Sequence, residues 1–182
     1  MKKLICTLIA LSFLLSGCAI SGQPSKGMSA EAPAIQSGDA STAPTLPDIT
    51  VYDVQGNPYS LSEFRGKPVV LNFWASWCGP CKREMPELQA AYEAYGDQIH
   101  FLMVDLAGGG SDTVEAATAF LATTDYTFPV YFDTTGEAAY LYSVSSIQVT
   151  YFIDAQGRGV TYYPGAMSQE ILDIGLGMLL EE

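Results

Sequence analysis

Residues 69–86 read VVLNFWASWCGPCKREMP, and this stretch decides the fold. Its first part, Val69–Trp74, is a run of apolar, β-branched and aromatic residues, which is typical of a central strand buried on both faces. Pro80 follows at a position that the first turn of a helix tolerates. Apolar residues then recur at helical spacing as far as Gly96, namely Cys81, Met85, Leu88, Ala91, Tyr92 and Tyr95. The stretch predicts a buried strand that leads directly into a helix.

Cys78 and Cys81 form a Cys-x-x-Cys pair at the start of this predicted helix. The free backbone N–H groups and the dipole of a helix N-terminus favour the thiolate form of a cysteine placed there. Cys78 is therefore the candidate nucleophile. Cys81 lies one turn further in, where it can reach Cys78 but is more shielded, so it suits the resolving step that breaks a mixed disulfide.

A Cys-x-x-Cys pair can also be half of a zinc site, which needs about four ligands. The other two of the 4 cysteines, Cys6 and Cys18, lie in the N-terminal segment, and the 1 histidine is His100. These residues do not complete a ligand set, and we predict no metal.

Residues 70–86 resemble the signature of the TlpA/ResA-type thiol-disulfide oxidoreductases, and the similarity continues to the end of the chain, covering residues 47–182. The resemblance implies an α/β domain of thioredoxin-like fold, with a central mixed β-sheet flanked by helices on both faces and the family's central αβ insertion. It implies reduction of disulfides in exported proteins, such as apocytochrome c, by dithiol exchange. The electrons would come from a membrane donor of the CcdA or DsbD type. Beyond the redox-active Cys78–Cys81 disulfide, no cofactor is expected.

The same resemblance assigns roles to residues around the cysteines. Glu84 matches the family's glutamate near the active cysteines and would carry the proton of Cys81. Trp77 is expected to shield the disulfide and to contact protein partners. Gly79 and Pro80 form the dipeptide of thioredoxin itself, whose reduction potential near about −270 mV favours the reductase direction.

Gln148 stands where thioredoxin-like proteins carry a cis-proline opposite the cysteines, with Ile147 before it. A cis bond before a residue other than proline costs about 3–4 kcal/mol, so we predict a trans bond between these two residues. The change puts the usual substrate-docking edge in doubt. It also raises the hypothesis that the Gln148 amide donates a hydrogen bond to a sulfur.

The N-terminus carries the features of an exported lipoprotein. Lys2 and Lys3 precede an apolar run over residues 4–15, which predicts a secretion signal at residues 1–17. That run is shorter than the roughly 20 residues of a membrane-spanning helix. Leu15-Ser16-Gly17-Cys18 resembles the lipobox of bacterial lipoproteins, which implies cleavage before Cys18 and lipid attachment to it.

Composition predicts the remaining organisation. Small and polar residues dominate up to residue 46, so residues 18–46 are interpreted as the lipidated cysteine and a flexible linker, and residues 47–182 as one domain. The formal net charge of −12 makes nucleic acid an unsuitable partner. The lipid would instead hold the domain at the extracytoplasmic face of the cell membrane.

Hydrophobic patterns predict further elements within this domain. Strands are expected at residues 49–52, 99–106, 128–132, 149–154 and 159–163, and a turn at residues 55–58. Helices are expected from Ser111 or Asp112 to residue 123, from residue 133 to 142, and after Ser168.

Two alternatives to the reductase remain open. One is net disulfide formation or isomerisation by the same cysteine pair, since the dipeptide between the cysteines does not settle the direction. The other is a lipoprotein without catalytic activity that binds a metal, haem or a protein partner on a thioredoxin scaffold.

Overall fold

The computed structural model describes residues 43–108, 110 and 112–181. The predicted secretion signal, Cys18 and almost all of the predicted linker lie outside these residues. None of the helices in the described ranges is both long and apolar enough to cross a membrane.

The described residues form seven strands, four α-helices and a 3-10 helix. The strands are β1 (Thr50–Tyr52), β2 (Pro58–Ser60), β3 (Val69–Trp74), β4 (His100–Asp105), β5 (Val130–Phe132), β6 (Val149–Ile153) and β7 (Gly159–Pro164). The α-helices are α1 (Gly79–Tyr95), α2 (Val114–Leu121), α3 (Glu137–Leu141) and α4 (Gln169–Leu180), and a 3-10 helix spans Leu61–Phe64. The strand and helix predicted on either side of Cys78 are confirmed as β3 and α1.

The strands form one sheet in the order β2-β1-β5-β4-β3-β6-β7. β3, β4 and β5 run parallel, whereas β6 is antiparallel to both β3 and β7. β1 is antiparallel to β2 and to β5. The predicted mixed sheet is confirmed, and α2 with β5 lies between β4 and α3 as an inserted αβ pair.

Two apolar clusters pack on opposite faces of the sheet, and β3 contributes to both. Val70 and Trp74 belong to the cluster that includes Met85 of α1. Leu71 and Phe73 belong to the other cluster, because successive side chains of a strand point to opposite faces. α2 and α4 also pack on the first face, while α3 and the 3-10 helix pack on the second. The helices therefore flank both faces, as predicted.

Two local predictions were wrong. The turn predicted at residues 55–58 ends earlier, and Pro58 begins β2 at the edge of the sheet, where a missing N–H can be tolerated. α2 begins after Thr113, whose hydroxyl caps the helix, and not after Ser111 or Asp112. The carboxylate of Asp112 is engaged elsewhere, beside the cysteine pair.

Two glycines of α4 offer a test of the packing between this helix and β6. A Cβ atom at Gly175 would lie 2.3 Å from the ring of Phe152, whereas one at Gly177 would meet no atom within 4 Å. We expect Gly175→Ala to lower the free energy of unfolding by about 1–3 kcal/mol through overpacking. Gly177→Ala is the matched control and should raise it by about 0.5–1 kcal/mol, since alanine favours helix. Urea denaturation measures both, and equal effects would contradict this packing.

Candidate active site

Cys78 and Cys81 are joined by a disulfide bond at the start of α1. Cys78 is the N-cap residue of the helix, and its Sγ accepts the backbone N–H of Cys81 at 3.2 Å. The first N–H groups of a helix have no acceptor within the helix, so this group can also stabilise a Cys78 thiolate after reduction. Cys81 is 1% exposed and Cys78 is 4% exposed. The deeper position of Cys81 fits the predicted resolving role.

Gly79 and Pro80 occupy the first turn of α1 between the two cysteines. Proline fits there because the N–H that it lacks would have no acceptor within the helix. A Cβ atom on Gly79 would approach the Arg83 guanidinium at 3.6 Å, which is an ordinary contact. The structure therefore shows no steric requirement for glycine at this position.

Trp77 is 58% exposed immediately before the disulfide, whereas Trp74 is fully buried in β3. A groove beside Trp77 is lined in part by the apolar side chains of Leu106, Val144 and Ile147. Exposed aromatic side chains next to apolar grooves are typical of surfaces that contact other proteins. The location favours the predicted role of Trp77, which stays a prediction.

Glu84 is buried on the inner face of α1, one turn after Cys81. Its Oε1 accepts a hydrogen bond from Nδ2 of Asn72 at 2.9 Å, and its Oε2 accepts the backbone N–H of Met167 at 3.0 Å. Burial raises the pKa of Glu84, and these hydrogen bonds offset that effect only in part. A carboxyl group whose pKa is raised in this way is suited to taking up and returning a proton.

Gln148 lies directly before β6 and is 3% exposed. No cis peptide bond occurs among the described residues, so the predicted trans bond between Ile147 and Gln148 is confirmed. Neither polar atom of the Gln148 side-chain amide has a hydrogen-bond partner in the described part of the chain. The hypothesis that this amide donates to a sulfur is therefore wrong for the disulfide state.

The structure brings most of the predicted site residues to one region. Gln148 lies near enough to Glu84 to favour the charged form of that carboxyl group. Ile147 packs against both apolar clusters and lines the groove beside Trp77. Cys18, the predicted lipidation site, lies outside the described residues.

Asp105 and Asp112 adjoin the site, and the sequence prediction gave neither of them a role there. Asp112 accepts hydrogen bonds from the backbone N–H and from the hydroxyl of Ser76, the latter at 2.9 Å. It thereby holds the loop that leads to Trp77. Asp105 ends β4 beside Trp74 in the sheet and is 0% exposed. An acidic residue at the end of an apolar strand is the sequence feature that could have drawn attention to this position.

The carboxyl group of Asp105 has no hydrogen-bond partner that donates to it among the described residues. Burial, the charge of Asp112 and a hydrogen bond to Asp112, which Asp105 can donate only when it is protonated, together raise the pKa of Asp105 to about 8. Burial is the largest of these causes. Asp105 is therefore mainly a neutral acid at pH 7.

This chain is similar to known proteins over the whole region that contains the site. The chain matches the AhpC/TSA family over residues 43–161, which include both cysteines, Glu84 and Gln148. It is 33% identical over 130 residues to the thiol-disulfide oxidoreductase ResA of Geobacillus kaustophilus, covering 71% of this chain and 72% of that protein. It is 36% identical over 137 residues to ResA of Oceanobacillus iheyensis, covering 75% and 69%.

A solved structure shows the same arrangement of the chain. The exposed lipoprotein thioredoxin of Streptococcus pneumoniae superimposes with a TM-score of 0.64 at 33% sequence identity. The superposition covers 75% of this chain and 100% of that one. The similarity in sequence and the similarity in fold thus concern the same domain.

The buried Asp105 predicts how stability depends on pH. The pKa of Asp105 is about 8 in the folded chain, whereas an aspartate in the unfolded chain has its ordinary pKa of 3.8. The contribution of Asp105 to stability is therefore complete below pH 3.8 and is lost as the pH rises to about 8. Within that window each pH unit lowers the free energy of unfolding by up to about 1.4 kcal/mol.

We expect Asp105→Asn to flatten the pH dependence of the free energy of unfolding between pH 5 and pH 8. Urea denaturation of the variant and of the unmodified chain measures the two slopes. Asp125→Asn, at an exposed loop position, is the control and should keep the original slope. Equal slopes in all three proteins would contradict the raised pKa of Asp105.

Proposed function

The chain belongs to the AhpC/TSA family and, within it, to the thiol-disulfide oxidoreductases of the ResA type, and from that premise we propose that it reduces disulfide bonds of exported proteins. One observation carries the proposal: the redox pair lies at a helix N-terminus, where the Cys81 N–H reaches Cys78 Sγ. The buried carboxyl group of Glu84 lies one turn further along the same helix.

The reaction begins with the reduced pair and a Cys78 thiolate. The thiolate attacks one sulfur of the substrate disulfide, the substrate S–S bond breaks, and a mixed disulfide to Cys78 forms. The first substrate sulfur leaves as a thiolate and takes a proton from solvent. One bond, the mixed disulfide to Cys78, remains to be broken before the substrate is free.

The second half of the reaction uses Cys81. Its thiol gives a proton to the Glu84 carboxylate, and the resulting thiolate attacks Sγ of Cys78. The Cys78–Cys81 disulfide forms, and the second substrate sulfur leaves and receives the proton from Glu84. The substrate gains two electrons and two protons, while the cysteine pair loses the two electrons. No cofactor other than the pair itself is required.

The surroundings of Glu84 support its part in this scheme. A carboxyl group with an ordinary pKa is a weak base for a thiol proton at neutral pH, and burial of Glu84 reduces this mismatch by raising its pKa. Its two hydrogen bonds to Asn72 and Met167 hold it in place without supplying a neutralising charge. Glu84 is thus positioned by β3 and by the segment ahead of α4.

A membrane location completes the proposal. Lipid on Cys18 would anchor the chain to the extracytoplasmic face, and a donor of the CcdA or DsbD type would return electrons to the pair. The described end of the linker contacts the domain at β7, where the Pro44 carbonyl accepts the N–H of Gly159 at 3.1 Å. That contact lies near the start of β3, whereas Cys78 follows its other end. The disulfide thus lies away from the point where the tether joins the domain.

Apocytochrome c is a fitting substrate because it offers a disulfide on an exported chain. The groove beside Trp77 gives an apolar surface for a polypeptide next to the target disulfide. Net disulfide formation is the second candidate, because the pair in its disulfide state, as in the structure, can also accept electrons from two substrate thiols. The reduction potential separates the two: a reductase lies near about −270 mV and a strong oxidant near about −120 mV.

The order of attack predicts which single substitution traps a substrate. In Cys81→Ser the resolving thiol is absent, so Cys78 should stay joined to the substrate, and reductase turnover should fall by at least about a hundredfold. Nonreducing electrophoresis and mass spectrometry of the full chain from its native membrane identify the trapped protein.

The matched control for the trap is Cys78→Ser, which keeps one thiol but removes the nucleophile. It should hold no substrate. Equal trapping by the two variants, or no covalent partner on Cys81→Ser, would contradict the proposed order and the reductase function.

A further inference from the structure

The side-chain amide of Gln148 is buried without any hydrogen-bond partner in the described residues, for either Nε2 or Oε1. Each unsatisfied buried donor or acceptor costs roughly 1–3 kcal/mol. An apolar side chain at this position would avoid that cost. A glutamine that stays buried at the active site despite this cost implies that its amide forms hydrogen bonds in another state of the site.

The backbone fixes Gln148 beside the redox site. Its carbonyl accepts the N–H of Gly165 at 2.8 Å, and its neighbour Val149 begins β6, paired with Phe73 of β3. The amide must therefore find a partner close by, because the main chain on both sides is held by the sheet and its hairpin. Glu84 is such a group, because the Gln148 side chain lowers the pKa of the Glu84 carboxyl group.

The carboxyl group of Glu84 can form a further hydrogen bond with the Gln148 amide. Oε1 and Oε2 each accept one hydrogen bond, from Asn72 and from Met167. Each oxygen of a carboxylate offers two acceptor sites, so a further donor can bind. When Glu84 is protonated it becomes a donor instead, and its O–H then needs an acceptor. Asn72 presents Nδ2 to Glu84 and to Thr150 Oγ1, and an amide nitrogen donates hydrogen bonds but does not accept them, so Asn72 in this orientation offers no acceptor.

We propose that Gln148 is a positioning residue for proton transfer at Glu84, whose amide donates through Nε2 to the carboxylate and, after a half-turn, accepts the O–H of the acid through Oε1. The inference rests on the proposed function, since it gives the proton carrier of that reaction a partner in both of its states. An amide is the side chain that presents a donor and an acceptor at exchangeable positions. Proline, which the family resemblance places here, presents neither.

The proposal fits the proton balance of the reaction. Cys81 gives its proton to the carboxylate, and the amide turns so that Oε1 receives the new O–H of Glu84. When the departing substrate sulfur takes the proton, the amide turns back and Nε2 again faces the carboxylate. The amide itself gains and loses no proton.

The groups that face the Glu84 carboxyl group determine its pKa and therefore the midpoint of its titration. They are Asn72 from β3, the Met167 N–H from the segment before α4, and Gln148 from the segment before β6. Glu87, on the same helix, contributes a like charge that raises the pKa of Glu84. In the disulfide form neither cysteine of the pair titrates, so the oxidised chain isolates the behaviour of Glu84.

The first test is an NMR titration of the oxidised full chain. The Glu84 carboxyl carbon reports its protonation, and the side-chain nitrogen of Gln148 reports the amide. We expect the Gln148 signal to shift with the same midpoint pH as the Glu84 carbon. A Gln148 signal that stays constant through the titration of Glu84 would overturn the proposal, and this readout needs neither a substrate nor a variant.

The second test replaces the amide by an apolar side chain of similar size. In Gln148→Met the Glu84 midpoint should move to higher pH, because the charged form loses a donor. Release of glutathione from its mixed disulfide with Cys78 should slow roughly fivefold to tenfold at pH 7, since this step requires the proton of Cys81 to move. Gln98→Met, the same change at an exposed position, is the control.

The outcomes separate this inference from the proposed function. An unchanged Glu84 midpoint and an unchanged glutathione release rate in Gln148→Met would overturn the inference and leave the reductase intact. A Gln148 signal that follows Glu84, in a chain that reduces no protein disulfide, would support the inference while contradicting the proposed substrate class.

Discussion

The turn from β3 into α1 is the constraint on which the rest of the site depends. β3 is buried along its whole length, so its register against β4 and β6 fixes where the chain leaves the sheet. The next residues must place Cys78 at the N-terminus of a helix, where the N–H of Cys81 then meets Sγ. Met85 and Leu88 anchor that helix in the core, which holds the backbone of Cys78 in place.

Burial on the α1 face of the sheet also governs the acids of the site. Glu84 and Asp105 both lose water on folding, which raises the pKa of each of them. Their surroundings differ, because Glu84 receives two N–H donors while Asp105 faces the carboxyl group of Asp112. One acid is thus held ready to exchange a proton beside the dithiol. Asp105 keeps its proton and lies next to Asp112, which accepts a hydrogen bond from Ser76 in the loop before the cysteines.

The sequence predicted what depends on neighbours along the chain. The strand, the helix start, Cys78 and Cys81 all follow from spacing within a few residues, and the mixed sheet follows from the family resemblance. The contacts that complete the site join distant segments and left no local pattern. Asp112 binds Ser76 across 36 positions, and Glu84 binds the Met167 N–H across 83.

Gln148 has one feature that the sequence could predict and one that it could not. Its trans bond could be predicted, because proline is absent and a cis bond would be costly. Its place near the cysteines was an expectation from the family resemblance. The fate of its amide could not be predicted, since a hydrogen bond to sulfur and one to a carboxyl group suit the same residue type equally well. Among the residues that the structure describes, the amide has no hydrogen-bond partner, and its effect is on the pKa of Glu84.

Alkylation of the reduced full chain by iodoacetamide as a function of pH, with the modified cysteine located by mass spectrometry, tests the placement of Cys78 most directly. If the helix N-terminus activates Cys78, that residue is alkylated first and at lower pH, and Cys81 stays unmodified until the chain unfolds. Preferential alkylation of Cys81, or equal rates at both cysteines, would contradict the assignment of Cys78 as the nucleophile.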